Sequence, residues 1–418
     1  MAGENQPISP LGGVKAFNCR NCGGQVELLA PGQTLSAACK HCGSIADLTD
    51  ENFALLSKVR LKQQYDLVFD IGSTGEFEGK KWKVVGFMVR KVVGFDYAWH
   101  EYLLFNPRYG FRFLVNNYGH WSWIKAVTDA DSNRLNDPTI KYDGRNYKQF
   151  SQGGARIAYA LGEFYWQLKQ GDVSQTKDLI SPPYMLSVEL DDNGLLWSHG
   201  EYLEPQDVAA AFGTPDIEMP PRYDIGANQP NKYAILFRKL RWIWAIAVVL
   251  IIGMNIFFNS RAKETLALKW DLPYPMVKDT VSPPFILDGP VENVRISLAA
   301  APLQNTWFEG YATLHNLDTN LTFTFTMPME YYFGVTSEGT WSEGSKSKSF
   351  IVEHVPSGKY ELLISSAASD PGTLKLKVHR GIPSTENMFV LLVLVSILPG
   401  FLFLRSRGFE RKRQENAD

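Results

Sequence analysis

Four cysteines have the residue type and the spacing best suited to chemistry in this sequence. They form two Cys-x-x-Cys-Gly knuckles, and residues 23–38 lie between the two pairs. This spacing is typical of zinc sites, because each tight knuckle turns two sulfur atoms toward one ion and four thiolates complete a tetrahedron. The sequence therefore predicts a structural Zn²⁺ ion bound by Cys19, Cys22, Cys39 and Cys42.

Two alternatives to this zinc ribbon are four unconnected reduced thiols and a redox-active thiol pair. His41 lies inside the second knuckle, but four thiolates already close the site, so we do not expect it to be a ligand. A closed site has no open position for water. We therefore expect the ribbon to stabilise the fold or to dock a partner rather than to catalyse a reaction.

The charge balance argues against a nucleic-acid partner. The 418 residues include 42 basic and 44 acidic side chains, a net charge of -2, and the segment Met1–Lys58 is balanced as well. Binding to a phosphate backbone requires a basic face, which this segment lacks. The partner of the ribbon is therefore expected to be a protein on the cytoplasmic side.

The start of the chain is expected to remain in a reducing compartment. Met1–Phe17 lacks the basic region, apolar core and small-residue cleavage site of a signal peptide. All cysteines fall within Cys19–Cys42, which leaves no pair to form a disulfide framework elsewhere.

Two uncharged apolar stretches, Trp242–Phe258 and Met388–Leu404, have the composition of transmembrane helices. At about 1.5 Å per residue, and with flanking apolar residues, each can span a hydrocarbon layer of about 30 Å. Basic residues precede the first stretch and follow the second, which predicts that both termini are cytoplasmic. The sequence thus predicts a two-pass protein of the cell (inner) membrane, with the lipid bilayer as a partner.

Residues 59–204 form an aromatic-rich module with the pattern of an all-β barrel or sandwich. Apolar and polar residues alternate between turns that contain Gly, Asn and Asp. Phe77–Lys83 resembles Tyr142–Lys148, which suggests either two similar small sheets in tandem or two coincidentally similar hairpins. The expected strands are Trp82–Lys91, His100–Asn106, Arg112–Val115, Trp121–Val127, Met185–Asp191 and Gly194–Ser198.

Aromatic and glycine positions of this module carry a resemblance to a known family. The motifs are Trp99-His-Glu101-Tyr102-Leu-Leu, Gly110-Phe-Arg-Phe-Leu114, Gly119-His-Trp121, Gly162-Glu163-Phe164-Tyr165-Trp166 and Gly200-Glu201-Tyr202. Over roughly Lys58–Gly213 the chain resembles a bacterial, membrane-anchored family in which a zinc ribbon precedes an aromatic-rich β domain of unknown function. The resemblance implies membrane-associated work, but it implies no reaction and gives no residue a role.

Seven ionisable side chains in the module are candidates for acid or base chemistry, because a carboxylate and an imidazole in one pocket can move protons. Such residues beside aromatics in hairpins more often cap strands or pair across a sheet. An enzyme requires them to converge in one pocket, whereas a binding scaffold leaves them dispersed. The candidates are His100, Glu101, His120, Glu163, Glu189, His199 and Glu201.

The predicted architecture is mainly β, with two transmembrane helices that enclose an extracytoplasmic domain. We expect a non-enzymatic membrane scaffold or sensor in envelope or membrane-stress response; the alternative is a membrane-tethered hydrolase or ligand-processing enzyme with its site in the cytoplasmic β module. The expected order is a zinc ribbon and short helix (1–58), the aromatic-rich β module (59–204), a linker (205–238), a transmembrane helix (239–259), a proline-rich stalk (260–290), an extracytoplasmic β sandwich (291–381), a second transmembrane helix (387–404) and a basic cytoplasmic tail (405–418).

Overall fold

The computed structural model describes residues 14–58, 65–130, 135, 137–191, 194–274 and 277–417. The chain divides into two compact units, Met1–Phe237 with Leu402–Asp418, and Arg238–Phe401. Residues 1–13 lie outside the described residues. They make up most of Met1–Phe17, the segment in which the sequence predicts no signal peptide.

Strands dominate the first unit, as predicted. Short strands of the cysteine-containing ribbon come first, followed by the longer strands of the β module and one short helix. The elements are β1 (Ala16–Asn18), β2 (Gln25–Glu27), β3 (Ser36–Ala38), β4 (Ile45–Asp47), β5 (Leu55–Ser57), β6 (Thr74–Phe77), β7 (Lys80–Val92), β8 (Ala98–Asn106), β9 (Gly110–Asn117), β10 (His120–Val127), β11 (Thr139–Tyr142), β12 (Arg145–Phe164), β13 (Val173–Ser181), β14 (Tyr184–Asp191), β15 (Gly194–Leu203) and α1 (Pro205–Ala211).

Eight of the described strands close into an antiparallel barrel. The meanders β7-β8-β9-β10 and β12-β13-β14-β15 join through two pairings, β10 with β15 and β7 with β12. Closure leaves neither end of this eight-stranded path as a free edge. The predicted β module is thus a barrel, and each of the six predicted strands lies within an observed one.

The internal repeat is visible in the barrel topology. Each half begins with a short strand and a tight hairpin, β6 to β7 and β11 to β12. The turn residues Glu78-Gly79 and Asp143-Gly144 all have positive φ, as a two-residue hairpin turn of this type requires. Trp82 and Tyr147, which follow the two turns, are both fully buried. The two similar segments therefore have the same structural role.

The short helix expected within residues 1–58 is wrong for the part that the structure describes, residues 14–58, which contains strands and turns instead. Residues 49–54 form turns and bends, and β5 pairs with β4 in the ribbon sheet. The Asp50 carboxylate accepts bonds from the backbone N–H groups of Asn52 and Ala54. A side chain that bonds the backbone two residues further on stabilises a turn as readily as a helix start.

The expected linker after α1 packs against the barrel over much of its length. Asn228 is 3% exposed, and its side chain bonds Ser122 of β10 and the carbonyl of Pro183. The imidazole of His120 pairs with the carbonyl of Tyr223 at 3.0 Å. The linker prediction fails for residues 217–231, because apolar and amide side chains there find partners on the barrel.

The first unit also contains the end of a long helix, α3 (Glu386–Glu415), so the predicted basic tail is mostly helical. The Asn231 side-chain amide bonds Ser406 and Glu410 at 3.1 and 2.8 Å. The Arg413 guanidinium is 3% exposed and donates to the carbonyl of Gln229. These bonds hold the end of α3 on the segment that packs against the barrel.

The second unit is built on one curved antiparallel sheet. Its strands are β16 (Thr265–Tyr274), β17 (Val277–Val281), β18 (Phe285–Ala301), β19 (Thr306–Asn316), β20 (Thr322–Thr336), β21 (Gly339–Ser345), β22 (Ser347–Ala368) and β23 (Gly372–Arg380). The order of the described strands is β16-β23-β18-β22-β19-β20-β21, with β17 beside β22. Register shifts between β18 and β22 bend the sheet around one apolar core, as a half-barrel.

The expected proline-rich stalk is wrong. β16, β17 and the start of β18 occupy most of residues 260–290, and Leu272 and Tyr274 are 3% and 4% exposed in the core. Pro273 lies within β16, which is the first strand of the sheet order. An edge strand tolerates proline because one side of it makes no ladder bonds.

Within the described ranges, two helices are long and apolar enough to cross a membrane: α2 (Lys232–Arg261) and α3. Their most apolar windows have mean hydropathies of 2.0 and 2.4, and 0% and 11% of those windows is buried. The helices contain both predicted spans and continue beyond them at both ends.

Candidate metal centre and barrel lumen

The four cysteines come together at one point of the ribbon. Their sulfur atoms all lie within 4.8 Å of one another, and the Sγ–Sγ distances are 3.7 Å for Cys19–Cys42 and for Cys22–Cys39. A disulfide requires about 2.05 Å, so none is formed. The four thiols form a group that could hold a metal ion.

Local backbone geometry creates this cluster. In each knuckle a glycine, Gly23 or Gly43, has positive φ, and its N–H bonds the carbonyl of the first cysteine of that pair. A side chain at these positions would strain the turn. The two thiols of the second pair differ: burial raises the pKa of Cys39 to about 12, whereas hydrogen bonds from Ser44 and Asn21 outweigh burial and lower the pKa of Cys42 to about 6.

One short strand links the cysteine cluster to the barrel. Successive residues of β3 face opposite sides, as in any strand. Ala37 and Cys39 belong to the small ribbon core, whereas Ala38 packs among barrel residues. β3 also pairs with Gly162–Phe164 at the end of β12, so the ribbon strands extend the same sheet as the barrel.

Glu163 holds the ribbon on the barrel. Its carboxylate accepts bonds from the N–H groups of Leu29 and Ala30 and, at 2.9 Å, from the Thr34 hydroxyl. Glu163 is 2% exposed and Thr34 is fully buried. Burial raises the pKa of Glu163, while the three donors oppose that rise. Glu163 therefore acts as a structural clamp, not as an exposed acid.

Glycines allow β12 to cross β7 closely at this clamp. Gly162 has a φ of +81°, and a Cβ there would lie 2.2 Å from the carbonyl oxygen of Val85. Its partner Gly86 would meet the carbonyl of Glu163 at 2.4 Å. The Gly-Glu-Phe-Tyr-Trp motif of the sequence thus marks the place where the barrel closes and the ribbon attaches.

The barrel interior contains an ionic cluster. Arg90 of β7 pairs with Glu189 of β14 at 2.7 Å and donates to the Ser174 hydroxyl of β13. Because β12 and β13 separate β7 from β14 in the sheet, this pair crosses the lumen. Glu101 lies 3.8 Å from Arg90, and the side chain of Trp99 donates to it at 2.6 Å.

Burial shifts the ionisation of this cluster. Burial raises the pKa of Glu101 to about 7, against the stabilising charge of Arg90. Burial also raises the pKa of Asp178, although the hydroxyls of Ser187 and Ser151 donate to it at 2.5 and 3.0 Å. Both carboxyls therefore keep their protons to a higher pH than exposed carboxyls do.

The acid and base candidates do not gather in one place. Only Glu101 and Glu189 meet, in the lumen. His100 lies against Tyr65 and Phe87 on the outer face, His199 bonds the Tyr147 hydroxyl, and Glu201 is exposed. His120 bonds the segment after α1, and Glu163 bonds the ribbon. Sequence reasoning missed Arg90 and Asp178; the one available signal was a charged residue inside an otherwise apolar strand.

The predicted family resemblance is confirmed at the level of a domain of unknown function. Residues 70–205 match the family described as "Domain of unknown function (DUF4178)", a range that includes the barrel strands. No curated protein matches the chain.

Among solved structures, the chain is similar to the VP2 subviral particle of infectious bursal disease virus, with 11% identity and a TM-score of 0.19, covering 84% of this chain and 67% of that one. It is also similar to the Cry4Aa toxin of Bacillus thuringiensis, with 10% identity and a TM-score of 0.16, covering 73% and 52%. The chain spans about two thirds or less of the length of these structures. Scores this low carry no argument about fold or function.

Proposed function

We propose that this protein is a non-enzymatic membrane scaffold or sensor. In this proposal α2 and α3 cross a bacterial inner membrane, the half-barrel lies outside, and the ribbon and barrel lie in the cytoplasm, where they recruit a protein partner. The dispersed positions of His100, Glu163 and Glu201 support a binding role over a hydrolytic one, because acid–base catalysis needs its groups in one pocket.

The observation that carries the proposal is the exposure of the two helices. Across its described length α2 has no buried residue, and Trp242, Val249 and Leu404 are 66%, 68% and 69% exposed. A core helix of a soluble protein buries at least one face. Apolar side chains on all faces of a helix are stable in lipid, where no water contacts them.

Flanking charges support the orientation. The end of α3 carries Arg405, Arg407, Arg411 and Lys412, and the start of α2 carries Lys232, Arg238, Lys239 and Arg241. The far end of α2 offers only Arg261, followed by Lys263. The excess of positive charge favours the cytoplasm for both termini.

We propose zinc as the ion of the cysteine cluster. Four thiolates at about 2.3 Å from a tetrahedral zinc ion lie about 3.8 Å apart, and the two measured sulfur distances are 3.7 Å. Metal analysis of the purified full chain should find one zinc per chain, and a Cys19→Ser, Cys22→Ser double variant should contain none. Iron or no metal in the intact chain would contradict this assignment.

Topology reporters test the membrane arrangement. A reporter fused to either terminus should be accessible only from the cytoplasm, one inserted between β20 and β21 only from outside, and the chain should resist alkaline extraction. A terminus accessible from outside, or a chain in the soluble fraction, would reject the arrangement.

Affinity capture tests recruitment. Solubilised membranes containing the intact chain should yield a protein that the double cysteine variant does not retain. If both capture the same proteins, the ribbon is not the recruiting element.

A further inference from the structure

The ribbon lies against the inside of the barrel. Met88 lies two residues before Arg90 on β7, and Leu103 lies two residues after Glu101 on β8, so both face the lumen as Arg90 and Glu101 do. Phe113 of β9 pairs with Leu103 and faces the same side. These residues pack in one cluster with Ala38 and Ile45 of the ribbon. Ala38 and Ile45 are 2% and 1% exposed. The ribbon therefore forms a floor beneath the lumen.

This floor is fastened by the chain between the two cysteine pairs. That chain supplies Leu29, Ala30 and Thr34 to the Glu163 clamp. It also supplies Ser36, whose hydroxyl donates to the carbonyl of Trp166 at 2.7 Å and accepts the N–H of Leu168 at 3.2 Å. These buried fastening residues are thus bracketed by proposed metal ligands, whereas Asp47 and Ser57, beyond Cys42, add bonds to Gln167 and Gln170 at 3.1 and 3.2 Å.

The ribbon has little else to hold its shape. Its strands are three residues long, and its own core is one small cluster of side chains that includes Cys19 and Cys39 themselves. Segments this small fold when a metal supplies the missing free energy. The conformation of the floor therefore depends on the metal centre.

The barrel seam beside this floor is short and irregular. β12 pairs with β7 only over Ile157–Gly162, with a register shift inside that range, and then pairs with β3 of the ribbon. The seam lacks the long uninterrupted ladder that joins β10 to β15. Loss of order in β3 would free the end of β12 and, with it, the seam.

We propose that the metal centre acts as a gate on the barrel: when the ion leaves, residues 25–48 withdraw from the barrel, the seam between β7 and β12 opens, and the ionic cluster of the lumen becomes accessible. The gate rests on the proposed metal site but not on the proposed membrane arrangement or recruitment. Its two working parts are the thiolate cluster and the Glu163 clamp.

Hydrogen exchange on the detergent-solubilised full chain, with and without a zinc chelator, tests the gate. Chelation should raise the exchange rate of the amides in Gly86–Arg90 and Ile157–Phe164 at least tenfold, while β14 and the half-barrel strands exchange as before. New exchange confined to residues 16–48, or spread equally through β14, would overturn the proposal.

Glu163→Ala separates the clamp from the metal. This variant should retain one zinc per chain and still show fast exchange at the seam, whereas Glu201→Ala, a change at an exposed carboxylate of β15, should match the unaltered protein. If Glu163→Ala does not accumulate, Glu163→Gln, which keeps one acceptor oxygen, should show a smaller increase. Normal seam exchange in either zinc-loaded Glu163 variant would contradict the clamp role. Hydrogen exchange is measured in detergent, so a negative exchange result does not change the conclusion from the topology reporters. A negative topology result likewise does not change the conclusion from hydrogen exchange.

Discussion

The barrel and the half-barrel differ in the kind of side chain that fills their interiors. The half-barrel surrounds a core of apolar side chains, and none of its described residues is a cysteine. The barrel instead encloses Arg90 and Glu101, and the ribbon that packs against it contains a four-cysteine cluster. A buried ion pair contributes little net stability, but removal of one partner is strongly destabilising because it leaves an unpaired buried charge. The comparison indicates that apolar packing dominates the half-barrel interior, whereas ionisation and, in our proposal, a bound metal also control the barrel.

Removal of one thiolate should separate the two regions most clearly. Cys39→Ser should cost the ribbon and barrel about 5 kcal/mol or more, because the metal supplies folding free energy to the ribbon. Calorimetry should show their transition lowered by about 10–20 °C, with the half-barrel transition unchanged. His41→Ala, beside the same site, should retain the metal. An equal shift of both transitions would contradict the comparison.

A cavity in the half-barrel should destabilise that unit and leave the ribbon and barrel unchanged. Phe308 is 1% exposed in its core, so Phe308→Ala should cost about 4 kcal/mol in that unit. Tyr311→Ala is the matched control, because Tyr311 is 49% exposed on the same strand. Denaturation followed by hydrogen exchange should locate the loss; a loss in β7–β10 instead would show that the two units do not unfold independently.

Removal of the guanidinium from the lumen should destabilise the barrel less than metal loss does. Arg90→Met leaves Glu189 without its partner and should cost about 3 kcal/mol. The double variant Arg90→Met, Glu189→Gln should recover part of that loss, because the carboxylate closest to Arg90 is then uncharged and Glu101, at 3.8 Å, is the remaining ion-pair partner. A double variant as unstable as the single one would mean that Arg90 contributes through packing rather than charge.

The smallest effect should be a change in pH dependence. The unfolded Glu101 carboxyl releases its proton near pH 4.5, whereas the folded one retains it to about pH 7. Unfolding therefore releases a proton in this window, and barrel stability should fall as pH rises from about 4.5 to 7, by at most about 1.4 kcal/mol per pH unit. Glu101→Gln should flatten this slope in urea titrations measured across the window. An unchanged slope would assign the proton to another group.

Local patterns predicted much of this fold. The doubled cysteine knuckle predicted the thiol cluster, and alternation with Gly, Asn and Asp turns predicted β7 to β10 and β14 to β15. The similarity of Phe77–Lys83 and Tyr142–Lys148 predicted the repeated hairpins. Each of these signals lies within a few residues of sequence, which is why it can be recognised in one chain.

Features that depend on distant pairings were missed. β12 was not predicted, because Gly153-Gly154 and several polar residues interrupt its alternation, although it pairs in turn with β13, β7 and β3. The Arg90–Glu189 pair and the bond between Glu163 and Thr34 join residues 99 and 129 positions apart, and no local pattern shows such a contact. The prolines of residues 260–290 suggested a stalk. The sequence does not reveal that β16, which contains Pro273, is an edge strand that tolerates proline.

The grip on the end of α3 has a mechanical consequence. Asn231 and Gln229 hold this helix end through Ser406, Glu410 and Arg413, while Asn228, one residue away, is bonded to β10. Only Gln229 and Pro230 separate Asn228 from Asn231, so a rotation or a sliding motion of the helix end would act on a very short segment. Torque on the last turns of α3 must therefore either break these bonds or be delivered to the wall of the barrel at Ser122.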